Sequence, residues 1–232
     1  MIIKNFKELA TSAEKKTALE ILEAGICAAM PYHTLKKIIH KDRLGISNTR
    51  ISLLKYPKIF VIAFGKAADS MTKSISSLIH VDGGIIVIPK NSCSIFKNKK
   101  FEIFHAGHPV PDRQSVKAAK AILKFLKHRK RTDFIIFLVS GGGSSLVSIP
   151  DGLTLNEKKI ITDLLLKSGA DIHEINCIRK HLSKIKGGKM VEHLSCDAVS
   201  LVMSDVVGDD LSDIASGVTY CDHTTFNDAA KY

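Results

Sequence analysis

The chain has 232 residues and a formal net charge of +11, with 45% hydrophobic and 25% charged residues, as in an ordinary globular protein. Its densest basic runs, 97–100 and 127–131, contain no aromatic residues, which argues against a nucleic-acid groove where aromatic side chains stack on bases. No apolar run approaches the roughly 20 residues that span a bilayer, so we also expect no membrane partner.

Cysteine usage indicates a reducing compartment. The five cysteines are odd in number and form no C-x-x-C pair, which argues against a disulfide framework and against a structural zinc site. Charged residues interrupt the N-terminus too early for the apolar core of a secretion signal. We therefore expect a soluble cytoplasmic protein.

The predicted elements alternate between helices and strands. Apolar spacing predicts a helix over residues 5–30, closed by Pro31. Short, nearly continuous apolar runs then predict strands at Lys58–Phe64, Gly84–Ile88, Phe101–Phe104, Phe134–Val139 and Ala198–Met203. Helices are predicted at Ala67–Leu78, Ser115–Lys127, Leu155–Lys167 and Glu174–Lys184. This order predicts an α/β fold, a parallel sheet flanked by helices in a Rossmann-like three-layer sandwich, formed as one domain from residues 1–232.

The C-terminal residues 222–232 are typical of a loop, a threonine cap and one helical turn. So short a helix is not stable alone. We expect it either to dock on the sheet or to belong to a longer sequence.

The first candidate for chemistry follows the strand at Lys58–Phe64. Gly65 ends that strand and Lys66 begins the next helix, at the sheet edge where ligands of parallel α/β folds bind. The lysine could neutralise a transferred phosphoryl group or act as a base. The alternative is an exposed lysine at a helix start.

A second candidate is the Pro-rich loop from His105 to Asp112. Its two histidines, three residues apart, could be metal ligands, but the sequence offers no third ligand nearby. We favour a shaped active-site loop over a metal site.

A glycine-rich segment follows the strand at Phe134–Val139. Its residues are Ser140, Gly141, Gly142, Gly143, Ser144 and Ser145, which provide backbone N–H groups and hydroxyls suited to phosphate oxygens. Leu146 stands where the dinucleotide fingerprint needs glycine, and no Walker A sequence occurs. The segment predicts a phosphate site of unspecified type, and a flexible loop is the alternative.

Two further segments carry charge. Asn176, Arg179 and Lys180 share one helix face, which could grip a carboxylate or phosphate or could be a solvated basic surface. Asp205 and Asp209 follow the last strand and suit Mg²⁺ beside phosphates. Acidic residues that complement a helix dipole are the alternative interpretation of the aspartates.

Five segments together resemble one family, the glycerate 2-kinases whose C-terminal half carries the MOFRL domain. They are FGKAA at 64–68, GHPVPD at 107–112, SGGGSSL at 140–146, EINCIRKHLSKIKGGK at 174–189 and SDVVGDDLSDIASGVT at 204–219. The resemblance implies an N-terminal α/β domain and ATP-dependent phosphorylation of D-glycerate with Mg²⁺. It further implies catalytic roles for Lys66, Arg179 and Asp205.

The same resemblance implies that nucleotide phosphates are held by the segment from Ser140 to Ser145 together with Asn176 and Lys180, and that Asp205 and Asp209 bind the metal. Family members are much longer, so we expect the MOFRL-type domain to be absent here. A homodimer or another partner could supply the missing half. Two other functions stay open: a hydroxypyruvate reductase-type oxidoreductase, against which the missing dinucleotide fingerprint argues, and a non-catalytic phosphate-binding fragment.

Overall fold

The computed structural model describes residues 2–231. Its helices are α1 Phe6–Leu9, α2 Ala13–Ala29, α3 Pro31–Ile38, α4 Ala68–Leu78, α5 Arg113–Lys127, α6 Gly143–Leu146, α7 Leu155–Lys167, α8 Ile172–His181 and α9 Phe226–Ala229. Its strands are β1 Ile39–His40, β2 Arg43–Ile46, β3 Thr49–Ser52, β4 Lys58–Phe64, β5 Gly83–Pro89, β6 Phe101–Ala106, β7 Asp133–Ser140 and β8 Asp197–Met203. Short 3-10 helices cover Leu53–Lys55 and Ile214–Ser216.

The chain divides into two compact units. The smaller unit holds residues 2–55 and 74–79, and the larger holds residues 56–73 and 80–231. Whether residues 1–232 fold as one domain stays a prediction, since a domain is defined by folding alone on its own core. Met1 and Tyr232 lie outside the described residues.

The smaller unit contains α1 to α3 and a three-stranded antiparallel sheet, β1-β2-β3. The prediction of one helix over 5–30 is wrong, because the chain leaves helical geometry at Ala10 and restarts at Ser12. The Ser12 hydroxyl accepts the N–H of Lys15 at 3.3 Å and so caps α2. Pro31 does end α2, as predicted, and it also begins α3, where its missing N–H costs nothing.

The small antiparallel sheet was not predicted. Its strands have two to four residues each, and Leu44 is the one side chain of β2 that is fully buried. Ile46 and Ile51 are the other large apolar side chains of the β2-β3 hairpin, both half-buried, and strands of four residues are too short for a clear apolar alternation.

The larger unit is built on a five-stranded parallel sheet in the order β6-β5-β4-β7-β8, flanked by helices. This confirms the predicted fold class. All eight residues of β7 are buried, and so are six of the seven residues of β4. Burial on both faces explains why these strands have continuous apolar sequences.

The strand order places a topological switch at the centre of the sheet. From β4 the chain moves outward through β5 to β6, and it then returns to the other side of β4 as β7. Ligands of open α/β sheets bind at this point, beyond the carboxyl ends of the two diverging strands. Phe64 ends β4 and lies beside Val139 of β7, so the segments that follow them share one edge.

Three helix starts of the larger unit are fixed by reciprocal caps. Asp112 caps α5, Thr154 caps α7 and Asp171 caps α8, each in a capping box with the residue three positions on. These boxes explain why α5 and α8 begin two residues before their predicted starts. The C-terminal turn also occurs as predicted, since Thr225 caps α9.

Candidate active site

Lys66 and the glycine-rich segment meet at the switch point. The backbone N–H of Lys66 donates to the carbonyl of Gly141 at 2.9 Å, and the N–H of Ala67 donates to Oγ of Ser140 at 3.0 Å. The side chain of Lys66 is exposed, whereas Gly65 beside it is buried. The two segments were expected at one edge of the sheet, and direct hydrogen bonds join them there.

The backbone at this junction requires glycine. Gly65 has a φ of +131°, and a Cβ there would lie 2.1 Å from Oγ and 2.5 Å from the carbonyl oxygen of Ser140. Gly142 has a φ of +86°, and its carbonyl accepts the N–H and the hydroxyl of Ser145 at 3.2 and 3.0 Å. The turn is therefore a tightly folded bend rather than the flexible loop that was the alternative; we call residues 140–145 the glycine bend.

Two polar side chains lie directly against the glycine bend. A Cβ on Gly141 would lie 2.1 Å from Oδ2 of Asp205, and a Cβ on Gly142 would lie 2.8 Å from Nε2 of His108. The absence of side chains on these glycines thus makes room for a carboxylate and an imidazole. Cγ of Lys66 would be 3.5 Å from the same Cβ on Gly142, so all three side chains surround the bend.

His108 lies at the site without having been assigned a site role of its own from the sequence. Burial lowers the pKa of its imidazole, the positive charge of Lys66 lowers it further, and Asp205 acts in the opposite direction. The net effect favours the uncharged ring over the protonated one. The signal available in the sequence was the GHPVPD loop, which was expected to shape the site, but nothing in it singled out His108. His105 lies on β6 and is exposed.

Two cationic side chains hold Ser144. Nη2 of Arg179 donates to Oγ of Ser144 at 2.5 Å. Nζ of Lys186 donates to the carbonyl and to Oγ of Ser144 at 3.0 and 2.6 Å. Burial lowers the pKa of both groups. Of the predicted helix face, Arg179 therefore reaches the bend, and Lys186 joins it without having been predicted.

These cations have no acidic partner. A third buried cation, Lys158, adds its positive charge to those of Arg179 and Lys186. Within residues 2–231, no carboxylate lies within 4.0 Å of any of the three. Nε of Arg179 is buried and donates to no hydrogen-bond acceptor in this part of the chain. Buried cations are normally paired. An excess of unpaired positive charge behind the bend favours anion binding at its outer surface.

The other two residues of the predicted helix face have protein partners. Asn176 donates to Asp213 at 2.9 Å and accepts from Ser216 at 2.8 Å. Nζ of Lys180 donates to Ser212 and forms an ion pair with Asp222 at 3.3 Å. Asn176 is thus linked to the bend through Ser216, whose hydroxyl lies 2.9 Å from that of Ser144, whereas Lys180 is engaged elsewhere.

The predicted metal ligands are placed differently from each other. Asp205 is exposed at the end of β8 and lies against Gly141. Asp209 is exposed in the following loop, with a φ of +54° and its N–H donating to Val206. Neither belongs to the single cluster of three potential metal ligands found in the described part of the chain.

Burial of the charge on Lys158 should lower the free energy of unfolding. Burial lowers its pKa to about 8, and Arg179 and Lys189 add to the effect. An unfolded lysine titrates near 10.4, so the folded state disfavours the protonated amine, fully below pH 8 and no longer above about pH 10. Lys158→Met is therefore expected to raise the free energy of unfolding by about 2 kcal/mol at pH 7, with the gain shrinking as pH rises from 8 to 10.

Urea unfolding of the purified protein at pH 7 and pH 9.5 measures this gain. The Leu182 carbonyl that Lys158 contacts still receives the N–H of Asp151 at 3.3 Å, so the substitution leaves no orphaned acceptor. Lys124→Met, at an exposed position of α5, is the matched control and is expected to change stability by less than about 0.5 kcal/mol. A pH-independent loss of stability in Lys158→Met would contradict the prediction.

Comparison with known proteins gives consistent matches. A family model described as a domain of unknown function (DUF4147) matches residues 17–232. A glycerate 2-kinase of Pyrococcus horikoshii is 39% identical over 220 residues, covering 94% of this chain and 49% of that protein. A protein of Agrobacterium vitis named putative hydroxypyruvate reductase is 43% identical over 173 residues, covering 73% and 39%.

A solved structure extends the match to three dimensions. The crystal structure of a glycerate kinase from Thermotoga maritima superposes with a TM-score of 0.81 at 38% identity, covering 93% of this chain and 50% of that one. The chain thus spans about half the length of the relatives it matches. None of its described helices is both long and apolar enough to cross a membrane.

Proposed function

The chain belongs to the DUF4147 family, and from that premise we propose that it is the phosphate-binding half of a glycerate 2-kinase, which transfers the γ-phosphoryl group of ATP to D-glycerate and yields 2-phosphoglycerate. The observation that carries the proposal is the hydrogen bond between Lys66 N–H and Gly141 at the switch point, 2.9 Å long, which joins a lone lysine to a glycine bend. Relatives named as glycerate 2-kinases support the substrate.

The glycine bend is suited to the phosphates of ATP. Asp205 and His108 occupy the space that a Cβ on Gly141 or Gly142 would fill. The three consecutive glycines carry no side chains of their own that would shield their backbone N–H groups from a phosphate oxygen. The cations Arg179 and Lys186, bonded to Ser144, add a positive potential behind the bend. We propose that residues 140–145 bind the nucleotide phosphates, with Asn176 supporting the bend through Ser216.

Lys66, Asp205 and Arg179 are the proposed catalytic residues. The exposed ammonium group of Lys66 can neutralise the transferred phosphoryl group or assist deprotonation of the 2-hydroxyl. Asp205 lies against Gly141 and is proposed to orient the attacking hydroxyl, and Arg179 is proposed to act on the phosphates beside Ser144. The uncharged form of His108, which burial and Lys66 favour, can donate or accept one hydrogen bond without adding charge. Phosphoryl transfer depends mainly on such positioning and electrostatics.

Mg²⁺ is part of the proposal. The carboxylate of Asp205 is exposed and has no cationic partner within 4.0 Å in residues 2–231, which fits a hard cation that prefers a few carboxylates plus phosphate oxygens. Asp209 offers a second exposed carboxylate. When bound, the ion would neutralise charge on the phosphate oxygens. Lys180 is proposed to serve the nucleotide only if its ion pair with Asp222 opens.

The test is glycerate-dependent release of ADP. The purified protein is assayed with ATP, Mg²⁺ and D-glycerate, alone and mixed with the half of the Pyrococcus horikoshii relative that this chain does not match. We expect turnover in the mixture, and phosphorus NMR of the product distinguishes 2- from 3-phosphoglycerate. L-Glycerate is the control substrate. Binding of ATP without turnover in any mixture would instead favour a non-catalytic phosphate-binding fragment.

The same preparation tests the alternative oxidoreductase. The relative named putative hydroxypyruvate reductase makes that activity worth measuring, although the chain lacks the dinucleotide fingerprint. Oxidation of NADH with hydroxypyruvate, followed by absorbance, should stay at background. A clear rate would replace the kinase proposal.

We further propose that the cleft is completed by the half of the relatives that this chain does not match, whether it belongs to the same polypeptide or to a homodimer mate or separate partner. A cytoplasmic location is also proposed, supported by five free cysteines.

A further inference from the structure

A histidine and two aspartates meet where α8 begins. His173 lies in the first turn of α8, and Asp210 and Asp213 lie on the turn before the 3-10 helix at Ile214–Ser216. One potential ligand atom from each side chain lies within 4.8 Å of the other two. None of the three is part of the proposed kinase site.

Asp213 carries the unusual feature of this cluster. Its side chain is 3% exposed, and Oδ1 accepts the amide of Asn176 at 2.9 Å. Its other oxygen, Oδ2, is buried and receives no hydrogen bond from any described residue. Nδ1 of His173 lies 2.8 Å from Oδ2 without the alignment of a hydrogen bond. A buried carboxylate oxygen without a donor is unfavourable, so this atom needs a further partner.

Asp210 completes the cluster from the solvent side. Its carbonyl accepts the N–H groups of Asp213 and Ile214 at 3.0 and 3.1 Å, which fixes both aspartates on one turn. Its Oδ1 accepts the N–H of Ser212 at 2.8 Å, and its second oxygen faces no bonded partner within residues 2–231. Asp210 is exposed, and the side chain of His173 is 68% exposed, so an ion can reach the cluster from solvent.

We propose that His173, Asp210 and Asp213 bind a divalent transition-metal ion, with Zn²⁺ as the best match. One imidazole nitrogen with two carboxylate oxygens is a ligand set that zinc accepts, with water in the fourth position. Mg²⁺ prefers oxygen ligands alone and does not suit the imidazole. The ion would supply the missing partner of Asp213 Oδ2.

The site is connected to the glycine bend by hydrogen bonds. Asp213 binds Asn176 at 2.9 Å, Asn176 binds Ser216 at 2.8 Å, and Ser216 lies 2.9 Å from the hydroxyl of Ser144. A bound ion would fix the side chain of Asp213, and through it would orient Asn176 and then Ser216, which contacts the bend. The metal site itself does not depend on which reaction the bend serves.

Zinc binding by the protein tests the proposal. Protein stripped with a chelator is titrated with Zn²⁺ by calorimetry, and Co²⁺ is added separately to record its visible absorption. We expect one equivalent of zinc and a Co²⁺ spectrum of mixed nitrogen and oxygen ligation. His173→Ala and Asp210→Ala should each weaken binding by about 100-fold or more, since even residues outside the coordination shell change metal affinity 10- to 100-fold.

Both substituted residues are exposed, so we expect both variants to fold as the unaltered protein does. Circular dichroism verifies the fold of each variant. His193→Ala, at an exposed histidine outside the cluster, should bind zinc as the unaltered protein does. Zinc should also raise the unfolding temperature of the unaltered protein but not of the two variants. No binding below about 0.1 mM zinc, or equal affinity in all four proteins, would overturn the proposal.

Discussion

Replacing Lys66 with alanine is expected to lower kcat for D-glycerate phosphorylation by about 1000-fold, in the range seen when a group that assists proton transfer or neutralises developing charge is removed. The side chain is exposed, so the free energy of unfolding should change by less than about 0.5 kcal/mol. The backbone bond from Lys66 to Gly141 at 2.9 Å survives the substitution, which leaves the bend in place. The measurement is ADP release in the mixture of the two halves, with urea unfolding in parallel.

Lys73→Ala is the matched control for this variant. Lys73 is exposed on α4, the helix that follows Lys66, but it is almost two turns further from the bend. We expect its kcat to stay within about twofold of the unaltered protein, because it is too far from the bend for charge neutralisation. Near-normal turnover in Lys66→Ala would remove the lysine from the mechanism, and equal losses in both variants would mean a general electrostatic effect.

Gly65→Ala is expected to destabilise the larger unit by about 3–4 kcal/mol, among the larger effects of a single substitution. Two causes act together. The φ of +131° is one that alanine rarely adopts, and the new methyl would lie 2.5 Å from the carbonyl oxygen of Ser140. The clash is with backbone, so neither strand can relieve it without separating. Thermal unfolding should shift down by about 10 °C for a unit of this size.

Gly152→Ala separates the two causes. Gly152 also has a positive φ, +70°, but a Cβ there meets nothing within 4 Å. We expect it to lose only the conformational part, about 1 kcal/mol. If Gly65→Ala were no worse than Gly152→Ala, the close approach of β4 and β7 at this point would be wrong.

The central sheet could be predicted because burial on both faces produces a simple sequence signal. The strand at Lys58–Phe64 has its predicted bounds, and the other four differ by two residues at most at either end. The break in the first helix was missed because Ser12 caps from within a run that keeps helical spacing on both sides. Capping depends on a local hydrogen bond, which apolar periodicity does not reveal.

The meeting of Lys66 with the glycine bend was also predictable, but the side chains that contact the bend were not. Lys66 and the glycine bend follow two strands, so parallel topology alone brings them to one edge. His108 follows β6 at the same edge, but β5 and β4 lie between β6 and β7, so strand order alone does not predict its contact with Gly142. Lys186 follows a helix, and only the packed chain places it at Ser144. Lys180 shares a helix face with Arg179, yet its ion pair with Asp222 requires a contact 42 residues away. Helical spacing cannot anticipate a contact of that kind.

The unpaired cations behind the bend have a consequence for how the protein should be handled. Lys158, Arg179 and Lys186 raise the free energy of the folded state while no anion lies near them, because burial opposes their charge. An anion that binds only the folded chain therefore stabilises it by mass action. Melting temperatures measured in phosphate or sulfate buffers should therefore be higher than those measured in chloride. In crystallisation or storage conditions rich in oxyanions, the protein should carry a bound anion.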